Sequence, residues 1–191
     1  MVGDEAVVGE ETVDATARPV LILYCGLPGA GKTTAARERA RETGAIGFSP
    51  IRFSPIRFSP IRFSTDEWMA DLGLDYFDPL RDRVQARLDR LWRELLEHGQ
   101  SVILEDGSWT RAERDELRRV ARGFGAITEL HVFDIPVEEL WRRLEGRNER
   151  PGHGEVPITR EVLDESLQRF EAPDAAELAL FDRWIVHTSG S

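Results

Sequence analysis

Gly26-Leu27-Pro28-Gly29-Ala30-Gly31-Lys32-Thr33, with Thr34 directly behind it, decides how this chain is read. Ahead of it, Val20 to Cys25 is a short apolar run rich in branched and aromatic side chains, as expected of a buried parallel strand. Behind it, Lys32 to Glu42 is rich in Ala, Arg and Glu and predicts a helix that Gly44 would stop. Gly26, Gly29 and Gly31 let the backbone curl around an anion without side-chain clash, and the helix start points free N–H groups at it. Lys32 adds a mobile cation and Thr33 a hydroxyl suited to Mg²⁺. Lys32 is also the only lysine in the chain. A phosphate loop needs an ammonium on a flexible stem at this position rather than a planar guanidinium. The competing account is a glycine-rich strand-helix turn of purely structural role.

Outward from this loop, residues 1–18 mix acids with small residues and show no sustained period, which predicts a disordered tail, with the folded domain spanning 19–191. Phe48-Ser49-Pro50-Ile51-Arg52 is repeated at Phe53–Arg57 and Phe58–Arg62, and a proline in each copy predicts an extended loop over 48–62, with only Ile61 to Ser64 usable as strand. Two accounts of the repeat stand: expansion of a short DNA repeat in a tolerant surface loop, or an arginine-bearing substrate flap. Helices are expected over Pro79 to Glu97, with Val84, Leu88, Leu91, Trp92 and Leu95 on one face, over Arg111 to Arg122, and from Pro136 onward. Strands are expected over Ser101 to Leu104, Ile127 to Phe133 and Arg183 to His187. Strands alternating with helices predict a doubly wound α/β sandwich.

A chain of 191 residues with 41% hydrophobic residues suits one domain with a continuous core. The formal net charge of -10 argues against an extended nucleic-acid duplex as main partner, because phosphate backbones call for clustered positive charge. The single cysteine, Cys25, has no partner for an internal disulfide, which fits a reducing, cytoplasmic setting. No apolar run approaches membrane-span length, and the N-terminus is acidic rather than signal-like.

Three further groups carry chemistry. Glu105-Asp106 ends the second apolar strand, where an acid would hold the Mg²⁺ hydration shell, and either residue qualifies. Asp66-Glu67 ends the strand after the repeat; Asp66 is either a base for an acceptor hydroxyl or, with Thr65, the N-cap of a short helix. Arg142, Arg143, Arg147 and Arg150 lead into Pro151-Gly152-His153-Gly154, which reads as a small lid over about 147–160 whose arginines close on a transferring phosphoryl group, against the alternative of a solvated helix face. His131 is read as packed, His98 as decorating a helix end, and Trp92 and Trp141 as core.

The pattern resembles small P-loop kinases of the zeta-toxin and polynucleotide-kinase type, often labelled AAA-family ATPases, over roughly Val20 to Asp182. It rests on Gly26 to Thr34, Phe63-Ser64-Thr65-Asp66-Glu67-Trp68-Met69, Val102 to Trp109, Leu140 to Leu144 with Arg147-Asn148, and Ile158-Thr159 with Phe170-Glu171-Ala172-Pro173. The resemblance implies a three-layer P-loop NTPase sandwich with about five parallel strands and the phosphate-loop strand central. It further implies Asp66 as the acceptor-activating base, Arg143 or Arg147 in the lid, and an acid aligned with Glu105 at the metal. The expected activity is transfer of the ATP γ-phosphate to a hydroxyl of a small molecule or nucleic-acid end. A nucleotide-responsive binding module and a simple ATPase are the alternatives.

Overall fold

The computed structural model describes residues 18–42, 60–75, 78–150, 152 and 156–189. The tail at 1–17, most of the repeat (48–59) and part of the expected lid (151 and 153–155, including His153) lie outside the described residues.

Each strong apolar run forms a strand: β1 Val20–Cys25, β2 Ile61–Phe63, β3 Val102–Gly107, β4 Ile127–Asp134 and β5 Arg183–Thr188. All are parallel, in the order β2-β3-β1-β4-β5, so the phosphate-loop strand is central. The helices are α1 Lys32–Glu42, α2 Thr65–Asp71, α3 Arg81–Glu97, α4 Arg111–Gly123, α5 Val137–Glu149, α6 Arg160–Arg169 and α7 Ala175–Leu178.

Period-two alternation along β1 sends its side chains into two cores. Leu21, Leu23 and Cys25 pack with Leu88, Trp92 and Leu96 of α3 and Ala121 of α4, whereas Ile22 and Tyr24 pack with Ala36 of α1, Leu140 and Leu144 of α5 and Leu163 of α6. The result is the expected three-layer α/β sandwich, with helices on both faces of a five-stranded sheet.

Several expectations shift at their edges. Helix α3 starts at Arg81 rather than Pro79, since Asp78 and Leu80 are taken up in a turn that leads into it. Arg18, assigned to the tail, is docked: its guanidinium donates to the carbonyls of Gly125 and Ala126 at 2.6 and 3.1 Å. Ile61 and Arg62 lie in β2 as expected and pair with Val102 and Ile103 of β3, but the strand stops at Phe63 and Ser64 caps α2 instead. Helices α6 and α7, absent from the sequence reading, are capped by Thr159 and Asp174.

Candidate functional site

The strand order reverses around β1, and ligand crevices in open parallel sheets form at the carboxyl ends of strands at such a point. Here a cleft of about 950 Å³ opens there, lined by residues 28–34 of the loop, by Asp66, Glu105 and Asp106, and by Arg81, Arg143 and Arg147. The sequence-predicted loop, acids and lid arginines therefore share one cavity, whereas Arg142 and Arg150 are not among its walls.

The loop's shape follows from its glycines. Gly29 adopts φ +80°, and a Cβ there would meet Leu144 Cγ of α5 at 2.9 Å, so conformation and packing both exclude a side chain. Lys32 Nζ donates to the carbonyls of Gly26 and Leu27 at 2.8 and 2.9 Å. The residue as a whole is only partly buried, but its ammonium lies inside the curl of the loop. That enclosure lowers its pKa to about 8, against the opposing pull of Cys25, Glu105, Asp66 and Asp106. Burial pushes the Cys25 thiol up to about 11, which makes it an inert packing residue.

Asp66 is not the cap of α2. Ser64 takes that role, accepting from the Glu67 N–H, and Thr65, the other capping candidate, is wholly buried inside the helix start. Asp66 is thereby released toward the cleft, where Arg81 at the start of α3 donates to its Oδ1 at 2.7 Å. Arg81 was missed by sequence reading because it reads as one more charge on a charged helix.

The two acids ending β3 divide by their partners. Asp106 accepts from the Thr65 N–H at 3.0 Å and the Thr65 hydroxyl at 2.8 Å, one bond to each oxygen. It is exposed to the cleft but set deep in its wall, and the loss of surrounding water raises its pKa to about 6 despite the Thr65 bonds. Glu105 is buried, accepts from Arg62 on one oxygen at 2.7 Å, and its Oε2 has no hydrogen-bond partner among the described residues. A buried carboxylate oxygen left without a donor is costly and rare in a native fold. Of the three residues expected at the metal, Thr33 and Glu105, both lining the cleft, therefore keep an oxygen free of hydrogen bonds among the described residues, whereas both oxygens of Asp106 are taken. No group of three or more His, Cys, Asp or Glu side chains suited to a metal occurs among the described residues. That donor set fits Mg²⁺, which keeps most of its waters and takes few protein ligands.

Behind Glu105, Arg62 also donates to Glu67, which accepts from Arg37 of α1 as well. Burial would raise the Glu67 carboxyl, but the two guanidiniums hold it below the ordinary range. On the opposite side of the loop, Arg143 is held by Glu139 at 2.8 Å and Arg147 by the Val156 carbonyl at 3.2 Å. Asn148 clamps Ile158 through its N–H and carbonyl, so the chain returning from the expected lid is pinned against α5. His131 is packed as expected, bonded to Glu129 at 2.8 Å and to His187 at 2.9 Å; His187 reaches the cleft wall. Trp92 is buried and Trp141 packs on the core, while His98 caps the end of α3. No described helix is long and apolar enough to cross a membrane.

The profile of the AAA domain family matches residues 21–173, most of the chain. Among solved structures, the chain is similar to Chaetomium thermophilum Kti12, solved in complex with ADP-AlF3, at 19% identity and a TM-score of 0.64, with 89% of each chain covered. It is similar to the Mycobacterium tuberculosis APS kinase CysC, solved with AMPPNP and APS, at 17% identity and a TM-score of 0.56, covering 91% of this chain and 90% of that one. It is also similar to a chain of the Pnkp1/Rnl/Hen1 RNA repair complex at 22% identity and a TM-score of 0.60, covering 79% of this chain and 43% of that one. At these identities the likeness is one of fold, that of P-loop NTPases. No curated protein matches the chain in sequence.

Proposed function

The chain belongs to the AAA domain family, and from that premise we propose that it is an ATP-dependent phosphotransferase of the polynucleotide-kinase and zeta-toxin type, moving the γ-phosphate to a hydroxyl of a small molecule or nucleic-acid end. The observation that carries this reading is the convergence of loop, acids and arginines on one cleft. A phosphate-binding loop alone suits any nucleotide binder. An acidic side chain held by Arg81 and facing the loop across the same cavity is what an acceptor hydroxyl requires.

In this reading residues 26–34 cradle the phosphates through backbone N–H groups, and Lys32 supplies a cation to the β- and γ-phosphates. Arg81 fixes one oxygen of Asp66, whose carboxylate takes the proton from the acceptor hydroxyl. The acceptor oxygen bonds to the γ-phosphorus as the bond to the β-phosphate oxygen breaks, and ADP leaves with that electron pair. Arg143 and Arg147 stabilise the charge spread over the phosphoryl oxygens in transit. Thr33 and Glu105 would hold Mg²⁺, directly or through its waters, and Asp106 serves the structure instead. When bound, Mg²⁺ neutralises phosphate charge and orients the γ-phosphate.

The test is an ATP-consumption screen of the full chain against hydroxyl compounds, including antibiotics and 5′-hydroxyl oligonucleotides. Stimulation by one acceptor with a phosphorylated product is expected. Hydrolysis indifferent to every acceptor would make the protein an ATPase, and nucleotide binding without turnover would make it a binding module.

A further inference from the structure

We propose that Arg62, contributed by the last copy of the Phe-Ser-Pro-Ile-Arg repeat, is a positioning residue that sets Glu105 for a divalent cation. It occupies one carboxylate oxygen of Glu105, a residue of the cleft wall, and leaves the other without a hydrogen-bond partner among the described residues. The proposal rests on the assignment of Glu105 to the metal made above.

The placement begins in the β-ladder. Arg62 pairs with Ile103, and side chains two apart on a strand share a face, so Arg62 and Glu105 project toward the side that α1 covers. There the Arg62 guanidinium meets two carboxylates at once, Glu105 through one terminal nitrogen at 2.7 Å and Glu67 through the other. Because the fork is divided, Glu105 is gripped by one oxygen only, and its second oxygen is buried without a hydrogen-bond partner among the described residues. A side-on grip, with both nitrogens on one carboxylate, would have consumed both oxygens. Glu67 is anchored in turn by Arg37, so the orientation of Glu105 is referred back to α1, the helix that begins with Lys32 and Thr33. Arg62 thus ties the acid on β3 to the helix whose first turn carries the other group with capacity for the cation. It touches neither nucleotide nor cation, and acts through Glu105. A lysine at 62 presents a point charge and reaches one carboxylate at a time, so the divided grip needs arginine.

The experiment measures Mn²⁺ binding by the full chain in the presence of a non-hydrolysable ATP analogue, following free Mn²⁺ by electron paramagnetic resonance, and separately measures analogue affinity in EDTA. Arg62→Gln should raise the Mn²⁺ dissociation constant about 10- to 100-fold, the usual cost of losing a group that orients a metal ligand. Metal-free analogue affinity should stay within about twofold, because the loop is untouched. Glu105→Gln should show the same split, and the double variant should be no weaker than Glu105→Gln alone, since both changes remove one interaction. Arg62→Lys should recover part of the loss. Normal Mn²⁺ binding by Arg62→Gln beside a defective Glu105→Gln would overturn the role of Arg62 and leave that of Glu105. Normal binding by Glu105→Gln would overturn both. An equal loss of affinity with and without metal would make Arg62 merely structural. Should Arg62→Gln fail to fold, Glu67→Gln frees the other end of the fork, and normal Mn²⁺ binding in both Glu67→Gln and Arg62→Lys would overturn the proposal.

Discussion

Two arginine-glutamate pairs flank the end of β3, and they close differently. Arg114 grips Glu177 through Nε at 2.6 Å and a terminal nitrogen at 3.0 Å, and spends its remaining nitrogen on the carbonyls of Ser108 and Trp109 at 2.9 and 3.1 Å. Both side chains are almost fully buried and both oxygens of Glu177 are used. This pair stitches the turn after β3, where Ser108 sits at φ +42°, to helix α7. Arg62 divides its fork between two acids and leaves Glu105 with one oxygen over. A saturated buried pair holds conformation, whereas an unsaturated one spends stability to keep a valence for something else. Variants on the open side should therefore lose chemistry and keep stability, and variants on the closed side should do the reverse.

The largest expected effect lies on the open side. Asp66→Asn keeps the shape and removes the proton acceptor, so acceptor phosphorylation should fall by about two to four powers of ten. Melting temperature and ATP affinity should be retained, since Ser64 and not Asp66 caps α2. Acceptor turnover, a thermal melt and an ATP titration check this, and a fully active Asp66→Asn protein would remove the proposed base. Lys32→Ala should abolish nearly all turnover while leaving the melt in place, with Lys32→Arg also poor.

On the closed side, Arg114→Met strands the Glu177 carboxylate in the interior and should cost about 3–5 kcal/mol in urea unfolding. Adding Glu177→Leu should recover most of it, because an apolar pair of similar volume is tolerated where a single charge is not. If the single variant melted normally, the stitching role would be wrong.

Smaller effects sharpen the boundary between the two regions. Thr65→Val removes the hydroxyl that Asp106 accepts and should cost about 1–2 kcal/mol by the same unfolding assay. The Glu129-His131-His187 chain is an intermediate case, closed at Glu129 and open to the cleft at His187. Burial, with the charge of His131, lowers the pKa of His187 from 6.5. As pH falls below that value the unfolded chain takes up the proton first, so stability should decline until folded His187 also titrates. Stability curves from pH 7 to 5 should lose this component in His187→Gln. Smallest of all, deleting Phe48 to Arg57 should leave melting temperature and ATP affinity almost unchanged, as loop-closure entropy varies slowly with length.

What could be read from residues alone tracks how local each signal is. The phosphate loop, its strand and its helix were legible because glycines, a lone lysine and an apolar run occupy adjacent positions. Helix α6 was not, since its apolar residues Val162, Leu163 and Leu167 are outnumbered by charges, although Thr159 ahead of them is a capping signal. The choice between Glu105 and Asp106 was illegible for a different reason. Neighbours on a strand point to opposite faces, and which one keeps a free oxygen depends on Thr65 and Arg62, about forty residues upstream. The role of Arg62 was hidden although it sits on a stretch read as strand, because its bond to Glu105 is made across the sheet to a residue far along the chain. The cap lies at Ser64, one residue before Thr65 and two before Asp66, the two candidates read from sequence, and that shift is what turns Asp66 from a helix terminus into a wall of the cleft.

Strand β2 has one further consequence. Its sequence, Ile61-Arg62-Phe63, occurs identically at Ile51-Arg52-Phe53 and Ile56-Arg57-Phe58, so these three residues by themselves do not distinguish the copy that pairs with β3 from the other two. One unit out of register would bring Pro60 to the place of Thr65 and Ile61 to that of Asp66. Pro60 has neither the N–H nor the hydroxyl that Asp106 accepts, so the wrong registers forfeit both bonds. Thr65 is therefore what distinguishes the last copy from the other two: it alone follows the Ile-Arg-Phe-Ser run with the N–H and the hydroxyl that Asp106 accepts.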